Sequence, residues 1–249
     1  MARMKPWPHP RIIAHRGGGA LAPENTLAAL RRAKALGFAA VEFDVMLSGD
    51  GVPLLMHDET LERTTSGRGA VAATPYAAIA ALDAGARFGS AFAGEPVPGF
   101  AAAAELCIEL GLWANVEIKP AAGHARETGR AAAKLAAAAW GAKSPAPLLS
   151  SFDPDALDAA REAAPALERG YLVGDVPPDW RGRLERHGCV SLNCDHVRLR
   201  EADARAIKRS GYALLCYTVN DVDTARRLFA WGVDAIFTDR LETIGADFR

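Results

Sequence analysis

Cysteine is scarce in this sequence, and its few copies are scattered. Cys107, Cys189, Cys194 and Cys216 form no C-x-x-C pair and show no repeated spacing with histidine. Such a pattern indicates neither a disulfide framework nor a zinc site. We expect buried or half-buried free thiols, which are consistent with a reducing, cytoplasmic compartment.

The sequence also lacks an excess of either charge and any long apolar run. Its 249 residues carry a formal net charge of -1, which argues against a broad surface for nucleic acid or membrane lipid. The start, MARMKPWPHP, has no apolar stretch behind its basic residues, and no later stretch is apolar enough to span a bilayer. We therefore expect no nucleic-acid partner and no stable membrane association, whereas the oligomeric state stays open.

Short β-rich runs recur along the chain, most of them followed by a helical pattern. Eight such strands alternating with helices predict an α/β fold, a (β/α)8 TIM barrel of one domain over residues 1–249. A doubly wound open sheet is the alternative, but the first glycine-rich loop lacks its G-x-G-x-x-G fingerprint. The predicted strands are 11–16, 40–45, 115–119, 147–152, 169–173, 189–193, 214–220 and 234–239.

The run VPLLMHD, residues 52–58, does not fit the barrel count. It follows the second strand after only SGDG, and so short a connection makes an antiparallel hairpin rather than a parallel crossover. Residues 46–99 are therefore predicted to be an inserted subdomain after the second barrel strand. A turn over 49–52 would place His57 opposite Asp44, and Thr74-Pro75 would open a helix in the insertion.

Two strands carry acidic residues on one face and apolar residues on the other. Glu42 and Asp44 alternate with Val41 and Phe43, and NVEIK places Glu117 with Lys119 in the same way. In a barrel the polar faces point inward near the carboxyl ends of the strands. Three converging carboxylates need a counter-charge, since each pair at ~4 Å and a dielectric of about 20 costs roughly 4 kcal/mol.

A divalent cation would supply that charge, and all-oxygen ligands favour Mg²⁺ or Ca²⁺. The alternative is an ion-pair network with Arg16 and Lys119 and no metal. His15 and His57 bracket the acidic cluster and are suited to proton transfer near neutral pH. Arg16 could hold an anion, and the three glycines that follow it would leave room for a ligand to approach.

The chain resembles the glycerophosphodiester phosphodiesterase family. The resemblance lies in AHRGGGALAPENT, VEFDVMLSGDGVPLLMHDETLERTTSGRG, VEIKP and GVDAIFTD, which follow one another over nearly the whole chain. It implies a barrel with a small insertion after the second strand. It also implies metal-dependent hydrolysis of glycerophosphodiesters to sn-glycerol 3-phosphate and an alcohol, with one divalent cation, Mg²⁺ or Ca²⁺, as cofactor.

Carried over position by position, the resemblance assigns roles to individual residues. His15 and His57 are expected to be the catalytic pair, and Arg16 and Lys119 to contact phosphate. Tyr217 stands where many relatives have tryptophan and is expected to form a wall of the substrate pocket. The remaining residues, the expected metal ligands, are Glu42, Asp44 and Glu117.

Several alternatives remain open at this point. The nucleophile could be the glycerol 2-hydroxyl, which gives a cyclic phosphate, or water, and either histidine could act as the base. The same fold could serve lysophospholipids or inositol lipids, although residues 58–99 offer no obvious membrane-binding face. A non-catalytic binder of phosphodiester headgroups would be expected to lack one of the histidines or acids, and none is missing.

Overall fold

The computed structural model describes residues 7–141 and 145–248 and contains one closed parallel barrel. All eight predicted strands are present, and a short ninth strand pairs antiparallel with the second. The predicted TIM barrel is confirmed. The strands are β1 (Ile12–Ala14), β2 (Ala40–Leu47), β3 (Pro53–Leu55), β4 (Trp113–Ile118), β5 (Leu148–Ser151), β6 (Glu168–Val173), β7 (Ser191–Asp195), β8 (Ala213–Tyr217) and β9 (Ala235–Thr238).

Closure of the barrel follows from the two partners of the first strand. Ala14 of β1 pairs with Val41 of β2 on one side and with Thr238 of β9 on the other. The remaining barrel strands follow in the order β9, β8, β7, β6, β5, β4, β2, and β3 lies outside the barrel against β2. A closed sheet leaves no unpaired strand edge within the barrel itself.

Helices cover the outside of the barrel, and their ends follow ordinary capping rules. The Thr26 side chain accepts a hydrogen bond from the Ala29 amide at the start of the first helix, and Gly232 ends the last one in a left-handed conformation. The helices are α1 (Leu27–Ala35), α2 (Tyr76–Ala80), α3 (Phe100–Leu110), α4 (Ala125–Trp140), α5 (Pro154–Ala163), α6 (Trp180–His187), α7 (Glu201–Arg209) and α8 (Val222–Trp231).

The apolar core has two layers, separated by the barrel wall. Outside the wall, strand residues pack on the helices, as the alternation in β2 predicts: the rings of Phe43 and Phe100 lie 5.9 Å apart. The four cysteines are buried and free, as expected. Inside the wall, near the amino ends of the strands, a second apolar cluster contains Ile13, Ala40, Trp113, Leu148, Leu215, Ala235 and Phe237. The polar cavity therefore lies at the opposite, carboxyl end.

The hairpin after β2 forms, but its register differs from the prediction by one residue. Two hydrogen bonds close the turn: the Ser48 amide donates to the Val52 carbonyl, and the Val52 amide donates to the Ser48 hydroxyl. Three residues, 49–51, are left in the loop. The Met56 amide consequently donates to the carbonyl of Asp44. The prediction that His57 lies opposite Asp44 is therefore wrong, because the turn contains one more residue than expected.

The segment after the hairpin has a small apolar core of its own. Its helix α2 begins at Tyr76, one residue later than the Thr74-Pro75 pair predicts, because Asp50 of the hairpin accepts a hydrogen bond from the Tyr76 amide at 2.8 Å. The boundaries 46–99 of an inserted subdomain stay a prediction. The cluster beneath the segment contains Met46, Leu54, Met56, Leu61, Val71, Ile79, Ala84, Val97 and Ala121.

The glycine-rich loop after β1 packs against the protein itself, so the expectation that its glycines leave room for a ligand is wrong. Gly19 has a φ of +52°, and a Cβ built there would lie 2.5 Å from the carbonyl oxygen of Asp239. The Gly19 amide donates to the carbonyl of His15, and the Ala20 amide donates to that of Asp239. Because Gly19 has no side chain, the loop after β1 can pack directly on the backbone of Asp239, just after the end of β9.

Replacing Gly19 should show how much stability is lost when a side chain is placed against the Asp239 backbone. Gly19→Ala adds overpacking against the Asp239 backbone to an unfavourable φ, and we expect it to lower the free energy of unfolding by about 2–4 kcal/mol. Gly37→Ala is the matched control, because Gly37 also has a positive φ but nothing lies within 4 Å of its Cβ position. Urea unfolding of both variants measures the difference, and equal losses would show that the close approach costs nothing.

Candidate active site

A cavity of about 240 Å³ opens at the carboxyl end of the barrel. All eight site residues that the sequence predicts line this one cavity, although they come from β2, β4, β8 and the segments that directly follow β1, β3 and β4. Five further residues complete the wall. The predicted residues are His15, Arg16, Glu42, Asp44, His57, Glu117, Lys119 and Tyr217, and the further ones are Asn115, Phe152, Leu172, Thr218 and Phe237.

Three carboxylates converge on one side of the cavity. Glu42, Asp44 and Glu117 each offer an oxygen, and these oxygens all lie within 4.8 Å of one another. Glu42 and Asp44 are almost completely buried. Burial, together with the charge of Asp44, raises the pKa of Glu42 to about 7 and that of Glu117 to about 8. The cluster therefore resists carrying its full negative charge without a cation.

The neighbouring cations only partly meet this need. Lys119 Nζ lies 3.4 Å from a Glu117 oxygen and 3.6 Å from an Asp44 oxygen, and Arg16 Nε lies 3.8 Å from Asp44. The second oxygen of Glu42, Oε1, is buried and has no hydrogen-bond partner among residues 7–141 and 145–248. A buried carboxylate oxygen without a partner is costly. The three acids thus fit a metal ion that prefers oxygen ligands better than they fit an ion-pair network alone.

The acids are held by residues of the glycine-rich loop. Asn25 donates to the Asp44 side chain at 2.8 Å and accepts from the Asp44 amide at 3.0 Å. Its φ of +58° is left-handed, a conformation that asparagine tolerates better than most residues. The Arg16 amide donates to Glu42 at 2.9 Å, also from a left-handed backbone. The loop after β1 thereby orients two of the three acids.

His15 is positioned by a carboxylate from the last strand. Its Nδ1 lies 2.6 Å from an oxygen of Asp239, whose other oxygen accepts a hydrogen bond from the Asn220 side chain. Burial would lower the pKa of His15, but the Asp239 hydrogen bond and the charges of Glu42 and Asp239 outweigh it and raise the pKa. Because an ionised carboxylate only accepts hydrogen bonds, Nδ1 is the donor to Asp239, and Nε2 lies 3.8 Å from an oxygen of Glu42.

His57 is positioned in the same way by its own neighbour. Its Nδ1 lies 2.7 Å from an oxygen of Asp58, and the hydrogen bond that Arg63 donates to Asp58 lowers the pKa of that carboxyl far below its usual value. Burial lowers the pKa of His57 and outweighs the opposing effects of Asp44 and Asp58. The pKa values of the two cavity histidines are therefore displaced in opposite directions, upward for His15 and downward for His57.

The other side of the cavity is apolar. Phe152, Leu172, Tyr217 and Phe237 form this wall, and the rings of Phe152 and Tyr217 meet edge to face at 5.8 Å. The Tyr217 hydroxyl donates to the carbonyl of Val173 at 2.7 Å. That hydrogen bond fixes the ring and uses the hydroxyl proton, so Tyr217 presents its ring rather than a free donor.

Sequence reasoning missed the residues that orient the predicted ones. Asp58 directly follows the predicted His57, which could have suggested its role. Asn25 stands in the stretch AHRGGGALAPENT together with His15 and Arg16, and its place in that motif was the available signal. Asp239 directly follows β9, and Phe152 directly follows β5, where barrel sites gather side chains. That rule, applied to every strand end, would have found both.

Comparison with known proteins identifies the family. Residues 15–243 match the Glycerophosphoryl diester phosphodiesterase family over most of the chain. The chain belongs to this family. The predicted family and enzyme class, glycerophosphodiester phosphodiesterase, are confirmed.

Individual relatives agree over nearly their whole length. A glycerophosphodiester phosphodiesterase of Caldanaerobacter subterraneus subsp. tengcongensis is 35% identical over 235 residues, 94% of this chain and 95% of that protein. A phosphodiesterase of Oleispira antarctica, solved in complex with the product sn-glycerol-3-phosphate, is 40% identical with a TM-score of 0.91, covering 94% of this chain and 95% of its own. A glycerophosphodiester phosphodiesterase of Agrobacterium tumefaciens is 27% identical with a TM-score of 0.76, covering 93% and 97%.

Among the described residues, none of the helices combines the length and apolar character needed to cross a membrane.

The raised pKa values of the acids predict how stability responds to pH and cation. Glu42 and Glu117 bind protons more tightly in the folded than in the unfolded chain, so EDTA-dialysed protein should lose stability as pH rises from about 4.5 through 8. Over the same range, the increase in melting temperature caused by Mg²⁺ or Ca²⁺ should grow, because cation binding needs the ionised acids. Thermal unfolding with and without cation checks this.

Glu42→Gln provides the control for that experiment. The amide keeps the size of the side chain and removes one titrating group. The stability of the EDTA-dialysed variant should therefore depend less on pH, and Mg²⁺ or Ca²⁺ should raise its melting temperature by less. A cation effect that stayed constant across this pH range, or that was unchanged in Glu42→Gln, would contradict the assignment.

Proposed function

We propose that the chain hydrolyses glycerophosphodiesters to sn-glycerol 3-phosphate and an alcohol, with a divalent cation, Mg²⁺ or Ca²⁺, held by Glu42, Asp44 and Glu117. The observation that carries the proposal is the convergence of these acids with two carboxylate-held histidines in one cavity. Family membership and the product bound to the Oleispira antarctica relative support the substrate class. A cytoplasmic location and the absence of a nucleic-acid partner stay predictions.

The charged side of the cavity is suited to a phosphodiester. When bound, the cation would neutralise negative charge on the phosphate and act as a Lewis acid. Arg16 and Lys119 lie next to the acids and present guanidinium and ammonium groups to the remaining phosphate oxygens. They would hold the phosphate in place and balance the charge that develops during transfer.

The two histidines would move the protons. Each has its Nδ1 on a carboxylate, Asp239 for His15 and Asp58 for His57, so Nε2 of each ring is the exchanging atom. One ring accepts the proton of the nucleophile, and the other donates a proton to the departing alcohol. Either ring can start as the base, since both are held in the same way by a carboxylate.

Removal of either imidazole tests the acid–base pair. His15→Ala and His57→Ala should each lower kcat by about 10²–10⁴-fold while circular dichroism stays unchanged, because each removes one proton-transfer group. The double variant should lose much less than the product of the two single losses, since both act in one mechanism. His196→Ala serves as a control, because His196 lies outside the cavity lining. A single variant with a normal rate would refute its role.

The choice of nucleophile is tested with a substrate panel and EDTA. If the glycerol 2-hydroxyl attacks phosphorus, the alcohol leaves and a cyclic phosphate forms, which water then opens to glycerol 3-phosphate; a 2-deoxyglycerol analogue should therefore be nearly inert. If a cation held by the three acids is required, activity should disappear in excess EDTA whichever nucleophile attacks. Glycerophosphocholine, glycerophosphoethanolamine and glycerophosphoglycerol should react within about one order of magnitude of one another, roughly 1.4 kcal/mol in barrier. Release of the headgroup alcohol is the readout for every substrate, with glycerol 3-phosphate measured as well for the three glycerol diesters, because the 2-deoxy analogue cannot yield glycerol 3-phosphate.

Each contrary result of this panel removes a different part of the proposal. Rapid hydrolysis of the 2-deoxy analogue would make water the nucleophile. Full turnover in EDTA would eliminate the cation. Preference for lysophospholipids or glycerophosphoinositol over all three diesters would favour a lipid-directed enzyme of the same fold.

A further inference from the structure

Arg63, in the LERTT motif of residues 61–65, takes no part in the function proposed above, yet it contacts two carboxylates beside the cavity. Its Nη1 and Nη2 donate to the two oxygens of Glu24 at 2.7 and 2.8 Å. Its Nε and Nη2 donate to the two oxygens of Asp58 at 2.5 and 2.9 Å. One guanidinium thus binds two carboxylates, each through both oxygens.

Each of those carboxylates also holds a side chain of the cavity. Glu24 accepts a hydrogen bond from Arg16 Nη1 at 2.8 Å, and Asp58 lies 2.7 Å from His57 Nδ1. The contacts form one continuous chain from Arg16 through Glu24, Arg63 and Asp58 to His57. Its two ends are the expected phosphate contact and one of the two proposed proton-transfer groups.

The five residues that these contacts connect come from two segments that are distant in sequence. Arg16 and Glu24 belong to the loop after β1, whereas His57, Asp58 and Arg63 follow the hairpin strand β3. Within the contacts described, Arg63 is the residue that joins the two segments beside the cavity. It also separates the negative charges of Glu24 and Asp58, and the pKa of both carboxyls is lowered mainly by hydrogen bonds from Arg63 despite their burial.

An exposed arginine usually contributes little, and the Arg63 side chain is 47% exposed. Here, however, the guanidinium makes four hydrogen bonds to two partly buried carboxylates with side-chain exposures of 21% and 27%. The planar fork suits this double arrangement, which the single ammonium of lysine could not reproduce. The geometry favours orientation of the site over a general gain in stability.

We propose that Arg63 is a positioning residue that orients Arg16 and His57 together, through Glu24 and Asp58. This inference rests on the proposed function, because it assigns Arg16 to phosphate binding and His57 to proton transfer. The glycine-rich loop and the inserted hairpin would then be aligned by one side chain. Loss of that side chain should impair binding and proton transfer together.

Steady-state kinetics separates the effect of Arg63 on Arg16, through Glu24, from its effect on His57, through Asp58. Glu24→Gln should mainly raise KM through Arg16, and Asp58→Asn should mainly lower kcat through His57. Arg63→Gln should do both, with kcat/KM lower by about 10- to 100-fold, the usual effect of losing an orienting partner. In kcat, Arg63→Gln and Asp58→Asn combined should lose less than the product of their single effects, because they share one path. Arg68→Gln, an exposed arginine of the same loop, should match the wild type.

Two further measurements distinguish positioning from a merely structural role. Guanidinium ion at non-denaturing concentration should restore part of the activity of Arg63→Ala, with an equal concentration of potassium as the salt control, since the vacated site is open to solvent. Nitrogen-15 NMR of the His57 ring should show the Nδ1–H tautomer in the wild type and an altered tautomer balance in Arg63→Gln at unchanged melting temperature.

The outcomes separate failure of this inference from failure of the proposed function. A wild type that releases glycerol 3-phosphate, with Arg63→Gln within about twofold of it in kcat and KM, would overturn the inference alone. A loss of activity fully explained by a lower melting temperature, without guanidinium rescue, would overturn it as well. If the wild type released no glycerol 3-phosphate, the proposed function would fail, and an unchanged His57 spectrum in Arg63→Gln would still refute the positioning role.

Discussion

Repulsion among three converging carboxylates is the constraint on which this site depends. Glu42 and Asp44 are buried, Glu117 is half-buried, and their oxygens lie within 4.8 Å of one another; burial and the charge of Asp44 raise the pKa values of the two glutamates. The barrel tolerates this arrangement because β2 and β4 are neighbours in exact register, with Asp44 beside Glu117. One oxygen of Glu42 has no partner among the described residues, so the protein groups around it do not satisfy the three acids.

A second layer of carboxylates holds the positive and titrating groups around this centre. Asp239 positions His15, Asp58 positions His57, and Glu24 positions Arg16. Each of these acids has a lowered pKa, in contrast to the raised values at the centre. The site therefore combines two inner glutamates, Glu42 and Glu117, that are difficult to ionise with outer acids that are readily ionised, and the side chains of the proposed chemistry lie between them.

The sequence predicts the barrel and the members of the cavity well, because both leave local patterns. Alternation of acidic and apolar residues in β2 shows which side chains face inward, and the same pattern in β4 locates Glu117 and Lys119. The roles of these residues stay predictions, although the structure brings them together. Partners such as Asp239, 224 residues from His15, leave no periodic signal, because a side-chain hydrogen bond across the barrel is fixed by closure of the sheet.

Smaller errors have equally physical causes. The hairpin register depends on whether the turn holds two or three residues, and the Ser48 hydroxyl decides this in a way that the Asp50-Gly51 signal does not reveal. The glycines after Arg16 indicate close approach, but composition cannot say whether a ligand or the protein approaches. In the structure the backbone of Asp239 occupies that place.

The central claim is that the three inner acids bind one cation between them. Anomalous X-ray diffraction from a crystal of the chain soaked in Mn²⁺, a substitute for Mg²⁺, tests it most directly. The account predicts a single strong peak in the cavity, about 2.0–2.6 Å from oxygens of Glu42, Asp44 and Glu117, the range expected for hard divalent cations. A cavity without a peak, with Lys119 Nζ placed among the three carboxylates, would contradict it.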